Sequence, residues 1–133
     1  MAEAGPDPRQ VMAQLDLVQR ELQRAERRLA TLEQAMVEAQ QALGTVRHLA
    51  ESKELQNVLL PIGGGLHVRA TVDAGQDVLM PIGAGYSTQG KAAEVAQALE
   101  ERVASIGKAY EEAAQRADEL ANAAAALNEQ LPS

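Results

Sequence analysis

Two long heptad ladders bracket a stretch in which the apolar period changes. The first runs Val11, Leu15, Val18, Leu22, Ala25, Leu29, Leu32, Met36, Ala39, Leu43, Val46, Ala50. Its steps alternate four and three without a miss, the mark of a helix that keeps one seam against a partner helix. The residues between are mostly polar. The pattern predicts a coiled-coil helix over 9–56, entered after Pro6 and Pro8 and fading from Glu51 through Ser52 and Lys53 to Glu54. The second ladder is Ala92, Val95, Leu99, Val103, Ile106, Tyr110, Ala113, Ala117, Leu120, Ala124, Leu127, Leu131. It predicts a return helix over 91–131, stopped by Pro132. The steps from Val95 to Leu99 to Val103 are four and four, a stutter that locally unwinds a supercoil. At about 1.5 Å per residue each helix is on the order of 60–70 Å long. Gly44 interrupts the first helix at a cost of about 1 kcal/mol relative to alanine. Close packing and simple tolerance both account for it.

Between the ladders the period becomes two. Val58-Leu59-Leu60-Pro61-Ile62-Gly63-Gly64-Gly65 returns twenty residues later as Val78-Leu79-Met80-Pro81-Ile82-Gly83-Ala84-Gly85. Each copy is a short apolar run stopped by glycine, the form of a strand entering a tight turn. Leu66, Val68, Ala70 and Val72 then alternate with polar neighbours, as a strand with one covered and one wet face requires. Ala84 to Gln89 is a second, more polar strand, and Asp73-Ala74-Gly75-Gln76-Asp77 is turn chemistry between the pairs. Two tandem β-hairpins over 57–90 are expected. The fold class is therefore α+β, dominated by an antiparallel coiled coil whose two helices flank the hairpins and bring Met1 and Ser133 together at a tip.

Four short strands cannot bury enough surface to stand alone. Pro61 and Pro81 remove ladder donors, which suits edge or partly paired strands. The hairpins are expected to meet other hairpins in an oligomerisation platform made by Val58, Leu60, Ile62, Leu66, Val68, Val72, Val78, Met80, Ile82 and Tyr86.

Composition sharpens this picture. Cys, Trp and Phe are absent and Tyr86 and Tyr110 are the only aromatics, whereas ordinary globular cores lean on aromatic side chains. A single domain over 1–133 is expected. Disulfides and thiolate metal sites are excluded by the missing cysteines. The first eight residues lack the basic flank and apolar run of a signal peptide, and no apolar stretch reaches the roughly 20 residues of a membrane helix, so a cytoplasmic location is expected. A net charge of −7 argues against nucleic acid as a partner. The acid is uneven: seven acidic and seven basic residues cancel over 9–56, while eight acids meet three bases from Ala92 onward. A solvated helix face accounts for that excess, and so does steering of a partner.

The nearest approach to catalytic chemistry is Gly85-Tyr86-Ser87-Thr88-Gln89-Gly90-Lys91-Ala92, which matches G-x-x-x-x-G-K between a strand and a helix. Ala92 stands where a Ser or Thr hydroxyl must hold Mg²⁺, and no series of βα units follows. Glycines turning a hairpin into a helix explain the match better. His48 and His67 lie on different elements without a carboxylate cluster, and Asp73 and Asp77 flank a turn for backbone reasons. No catalytic residue, cofactor or metal site is expected. What remains is apolar surface where the two helices end. Val11, Leu15, Val18, Leu127 and Leu131 belong to the seam; Met12 and Leu17 lie off it. These seven residues form a candidate tip for binding protein, since exposed apolar patches bind protein and methionine adapts to varied partners. A frayed, ordinary helix end explains the same residues.

The sequence of coiled-coil arm, duplicated Pro-Ile-Gly-x-Gly element at Pro61–Gly65 and Pro81–Gly85, Tyr86 and return arm resembles the α class of prefoldin subunits. The resemblance covers essentially the whole chain. Two hairpins mark the α class and one the β class. It implies an archaeal-type hexamer of two α and four β subunits, a double β-barrel platform and six tentacles. Such complexes hold unfolded proteins without ATP and pass them to a cytosolic chaperonin. A structural coiled-coil adaptor with one fixed protein partner is the other function class that the residues allow. Behaviour at the tip separates the two.

Overall fold

Asp7 starts the first helix. Its Oδ1 accepts the Arg9 N–H at 3.0 Å and its carbonyl accepts the Val11 N–H at 3.0 Å. Asp7 is thus the N-cap, and Pro8 takes the first helical position, where its missing N–H costs nothing and its φ is already set. Helix α1 spans Pro8–Glu51, starting one residue before the Arg9 expected from the ladder. Four strands follow, β1 (Glu54–Gly63), β2 (Leu66–Asp73), β3 (Val78–Gly83) and β4 (Tyr86–Gly90), and then α2 (Ala92–Glu129). This computed structural model describes residues 5–51, 54–73 and 75–132. The expected meeting of Met1 and Ser133 lies outside them, as do Ser52, Lys53 and Ala74.

Strand β1 begins three residues inside the stretch expected to be helical. Glu54 pairs with Asp73 and Leu55 with Val72, after which the register slips before Val58 pairs with Ala70. Asn57 takes up the slip at a φ of 58°, a left-handed conformation that Asn tolerates better than most residues. At the other end of the chain α2 stops at Glu129. There the Gln130 and Leu131 N–H groups donate to the carbonyls of Leu127 and Asn128, a tightened last turn ahead of Pro132.

The chain falls into two compact units, residues 1–36 with 105–133 and residues 37–104. In the first, Glu21 meets Arg116 at 3.1 Å, and Met36 lies level with Gly107. The helices there run antiparallel. Val11, Ala113, Ala117 and Leu120 are buried, and the other ladder positions of this unit are half-buried except Tyr110, which is more exposed.

In the second unit Arg47 pairs with Glu100 at 2.8 Å, again antiparallel. Both ion pairs are solvent-exposed and contribute at most about 1 kcal/mol each. Apolar burial sets the packing: Leu43 and Val46 of α1, Ala92, Val95, Ala96 and Leu99 of α2, and Met80 of β3 form one cluster. Leu49, Val78, Ala98 and Val103 pack at its margin. This accounts for two departures from the ladders. Ala50 is exposed and the larger Leu49 turns inward in its place. The four-four step at Val95, Leu99 and Val103 is the centre of a wide face that covers both α1 and the second hairpin. Gly44 faces open space, so no close approach requires it, and tolerance is the account that holds.

Candidate assembly and capture surfaces

The duplicated Pro-Ile-Gly-x-Gly element builds the same object twice. Opposite His67 and Leu66, β1 spends Pro61, Ile62 and Gly63, so Ile62 is an extra residue and the strand bulges. Opposite Ser87 and Tyr86, β3 does the same with Ile82. Each bulge runs into a two-residue turn with both φ values positive: 59° and 78° at Gly64 and Gly65, 51° and 79° at Ala84 and Gly85. Those are type I′ turns, whose twist matches the strands they join. Ala84 occupies a position where a Cβ is disfavoured by about 1 kcal/mol or more. Ala84→Gly is expected to raise the stability of the chain by about 0.5–1 kcal/mol in urea unfolding. An unchanged midpoint would count against the strained turn.

Each hairpin is its own two-stranded sheet, and among the described residues no strand of one pairs with a strand of the other. In β1–β2, Leu60 lies opposite Val68 and Val58 opposite Ala70, so these share a face with Leu66 and Val72. Val58, Ala70 and Val72 are half-buried, whereas Leu60, Leu66 and Val68 are exposed. The second hairpin is spent differently. Met80 is 9% exposed and, with Val78, packs on the helices, so two expected platform residues serve the chain's own core. Ile62, Ile82 and Tyr86 (72% exposed) remain uncovered.

Sequence reasoning missed Leu59 and Leu79, which occupy the same place in the two copies. They lie opposite Arg69 and Gln89, on the faces turned away from Leu60 and Met80, and are 59% and 63% exposed. The signal was available. Val58-Leu59-Leu60 and Val78-Leu79-Met80 are continuous apolar runs, which mark strands covered on both faces, not alternating ones.

At the other candidate surface Val11 is buried, and Leu15, Val18, Leu127 and Leu131 are half-buried along the seam. Met12 and Leu17 are each 60% exposed. The structure thus separates seam from off-seam residues as the heptad spacing does.

The G-x-x-x-x-G-K match folds as strand. Tyr86–Gly90 is β4, paired with β3 from Val78 to Gly83. Lys91 braces the turn between the hairpins: its Nζ meets Asp77 at 3.0 Å and donates to the Gly75 carbonyl at 3.3 Å. That turn is closed by Asp73, whose Oδ1 accepts the Gly75 N–H and whose carbonyl accepts the Gln76 N–H. Asp73 thus serves the backbone of the turn, whereas the Asp77 carboxylate pairs with Lys91. His48 and His67 are exposed, and among the described residues no three His, Asp or Glu side chains could share a metal ion. Among them, too, no helix is long and apolar enough to cross a membrane.

The profile of the prefoldin subunit family matches residues 18–132. The chain belongs to the prefoldin subunit family. Prefoldin subunit alpha of Methanospirillum hungatei JF-1 is 39% identical over 69 residues, 50% of this chain and 46% of that protein. The match thus spans about half the length of this curated relative. A chain of filamentous PFD from Methanocaldococcus jannaschii, solved by cryo-EM, superimposes with a TM-score of 0.52 at 23% identity, covering 92% of this chain and 95% of that one. The prefoldin fold is therefore present, with two long helices flanking two hairpins.

Proposed function

We propose that this chain is the α-type subunit of an ATP-independent holdase in the cytoplasm. Two copies join four β subunits through the hairpins, and the ends of the arms hold non-native polypeptides for transfer to a chaperonin. The observation that carries this reading is the apolar surface left open on the hairpins, from Leu59 to Val68 and again at Leu79, Ile82 and Tyr86. Isolated two-stranded sheets are marginal in water, and apolar strands of this kind are stabilised by further strands or a covering layer. Family membership supports a chaperone role. Exposed Met12 and Leu17 support capture where the arms end. Several weak tips on one assembly hold a client through avidity that no single tip has.

Mixing the chain with candidate β subunits tests the assembly. Light scattering is expected to give the mass of a hexamer with two of these chains, and the complex is expected to suppress aggregation of a chemically denatured protein. Met12→Ser with Leu17→Ser keeps the seam residues Leu15 and Val18 and is expected to lower that suppression several-fold at unchanged mass. Full protection by the double variant would remove capture from this tip. Binding to one folded target, with no protection of denatured chains, would favour the adaptor.

A further inference from the structure

One hairpin face is already docked within the chain, and the other hairpin is its copy. Shifted by twenty residues, the two share a register: Val58 opposite Ala70 and Leu60 opposite Val68 become Val78 opposite Gly90 and Met80 opposite Thr88. Bulge and turn match as well, so Leu60 and Met80 stand on equivalent faces. In the second hairpin that face is covered. Val78 and Met80 lie against Leu43 and Val46 of α1 and Ala92, Val95, Ala96 and Leu99 of α2. The chain thus shows what such a face fits: the aliphatic side of an antiparallel helix pair beside its strands.

The first hairpin has the same face, left open over Leu60, Leu66 and Val68. Among the described residues, β1 and β2 give no member to the helix cluster or its margin. Leu60 is 42% exposed where Met80 is 9%. The need for cover is also larger here. Leu66, Val68 and Ala70 stand where the second hairpin has Tyr86, Thr88 and Gly90, so the apolar face extends over both strands. A second copy of this chain cannot supply the cover, because its helix surface carries its own Met80 and Val78. The receiving helices belong to a chain that leaves that surface bare.

We infer that the Leu60 face of the first hairpin seats on the helices of a different chain, an antiparallel pair with an aliphatic surface and no second hairpin over it. The contact is the one that Met80 makes inside this chain, remade between two chains. The two copies of the element thus divide the work: the second closes the chain's own core, and the first selects a partner of another sequence. The inference rests on the proposed assembly with β subunits and adds the surface that receives this face. It does not depend on the capture of non-native polypeptides.

The test uses the full chain mixed with candidate β subunits, with Leu60 replaced by a short aliphatic residue bearing a diazirine. Val68, on the same face, gives a second such variant, and Leu59, on the opposite face of β1, gives the control. After illumination, mass spectrometry of the crosslinked peptides locates the attachment on the partner. Products on the partner's helices are expected at least about 10-fold more often from position 60 or 68 than from position 59, because neighbouring strand residues face opposite ways. In the chain alone, products joining the hairpin of one copy to the helices of another are expected to be absent. Products confined to the partner's strands, or equal helix products from positions 59 and 60, overturn the inference and leave the assembly standing. Helix products between copies of this chain overturn the need for a different chain. Failure of any complex to form overturns the inference together with the assembly. A complex with helix products that does not protect denatured protein overturns the holdase reading alone.

Discussion

A chain carrying Leu60→Asp and Val68→Asp is expected to keep its helices and lose its assembly. The two side chains lie opposite each other across β1 and β2 and are exposed in the single chain, so carboxylates there meet water and cost that chain little. In the assembly proposed above the same face is covered. Each apolar side chain then contributes about 1.5–3 kcal/mol when fully buried, and an unpaired carboxylate in its place costs several kcal/mol more. Together the two changes should weaken the interface by at least about 1000-fold, from a loss of about 4 kcal/mol. Mixed with β subunits, the variant is expected to run at the mass of free subunits with an unchanged helical circular dichroism spectrum. An intact complex would show that this hairpin face lies outside the interface. A loss of helix would show that the single chain itself depends on the face.

Leu99→Ala is the change expected to hurt the fold most. Leu99 is 5% exposed at the centre of the cluster that joins α1, α2 and β3. Leucine-to-alanine changes at such sites cost about 2–5 kcal/mol, from lost transfer energy and the cavity left behind. Because Met80 belongs to the same cluster, the second hairpin should loosen with the helices, and amide exchange in β3 should rise in step with the fall in global stability. At Leu32, which is half-buried in the other unit, the same change should cost less. A loss below about 1 kcal/mol at Leu99, or protection of β3 that does not change, would separate the hairpin from the helical core.

The helices and turns were legible in the sequence because their signals are local. Heptad spacing picks out Val11, Leu43, Val95 and Leu120 without knowledge of any contact, and the glycines at 63–65, 83 and 85 demand turns whatever lies around them. The start of α1 is legible too: Asp7-Pro8 is a cap followed by a first-turn proline, a stronger marker than reading both prolines as lying ahead of a helix from Arg9. The uses of the strand faces were harder to read. Whether Met80 points to the chain's own helices or to another subunit depends on how the second hairpin docks, and alternation does not carry that information. The change from helix to strand ahead of Leu55 was also hidden, since Asn57 in a left-handed conformation allows Leu55 to pair with Val72.

The two tyrosines have a practical consequence. With no tryptophan in the chain, Tyr86 and Tyr110 are its whole intrinsic fluorescence, and they fall one in each compact unit. Tyr86 stands open on the second hairpin, while Tyr110 rests partly covered on the helix seam. In the proposed assembly, emission from the first reports whether the strands have found company, and emission from the second whether the arm is wound. A Tyr→Phe change at either position isolates the other signal, so joining and unwinding can be followed separately without attaching a dye.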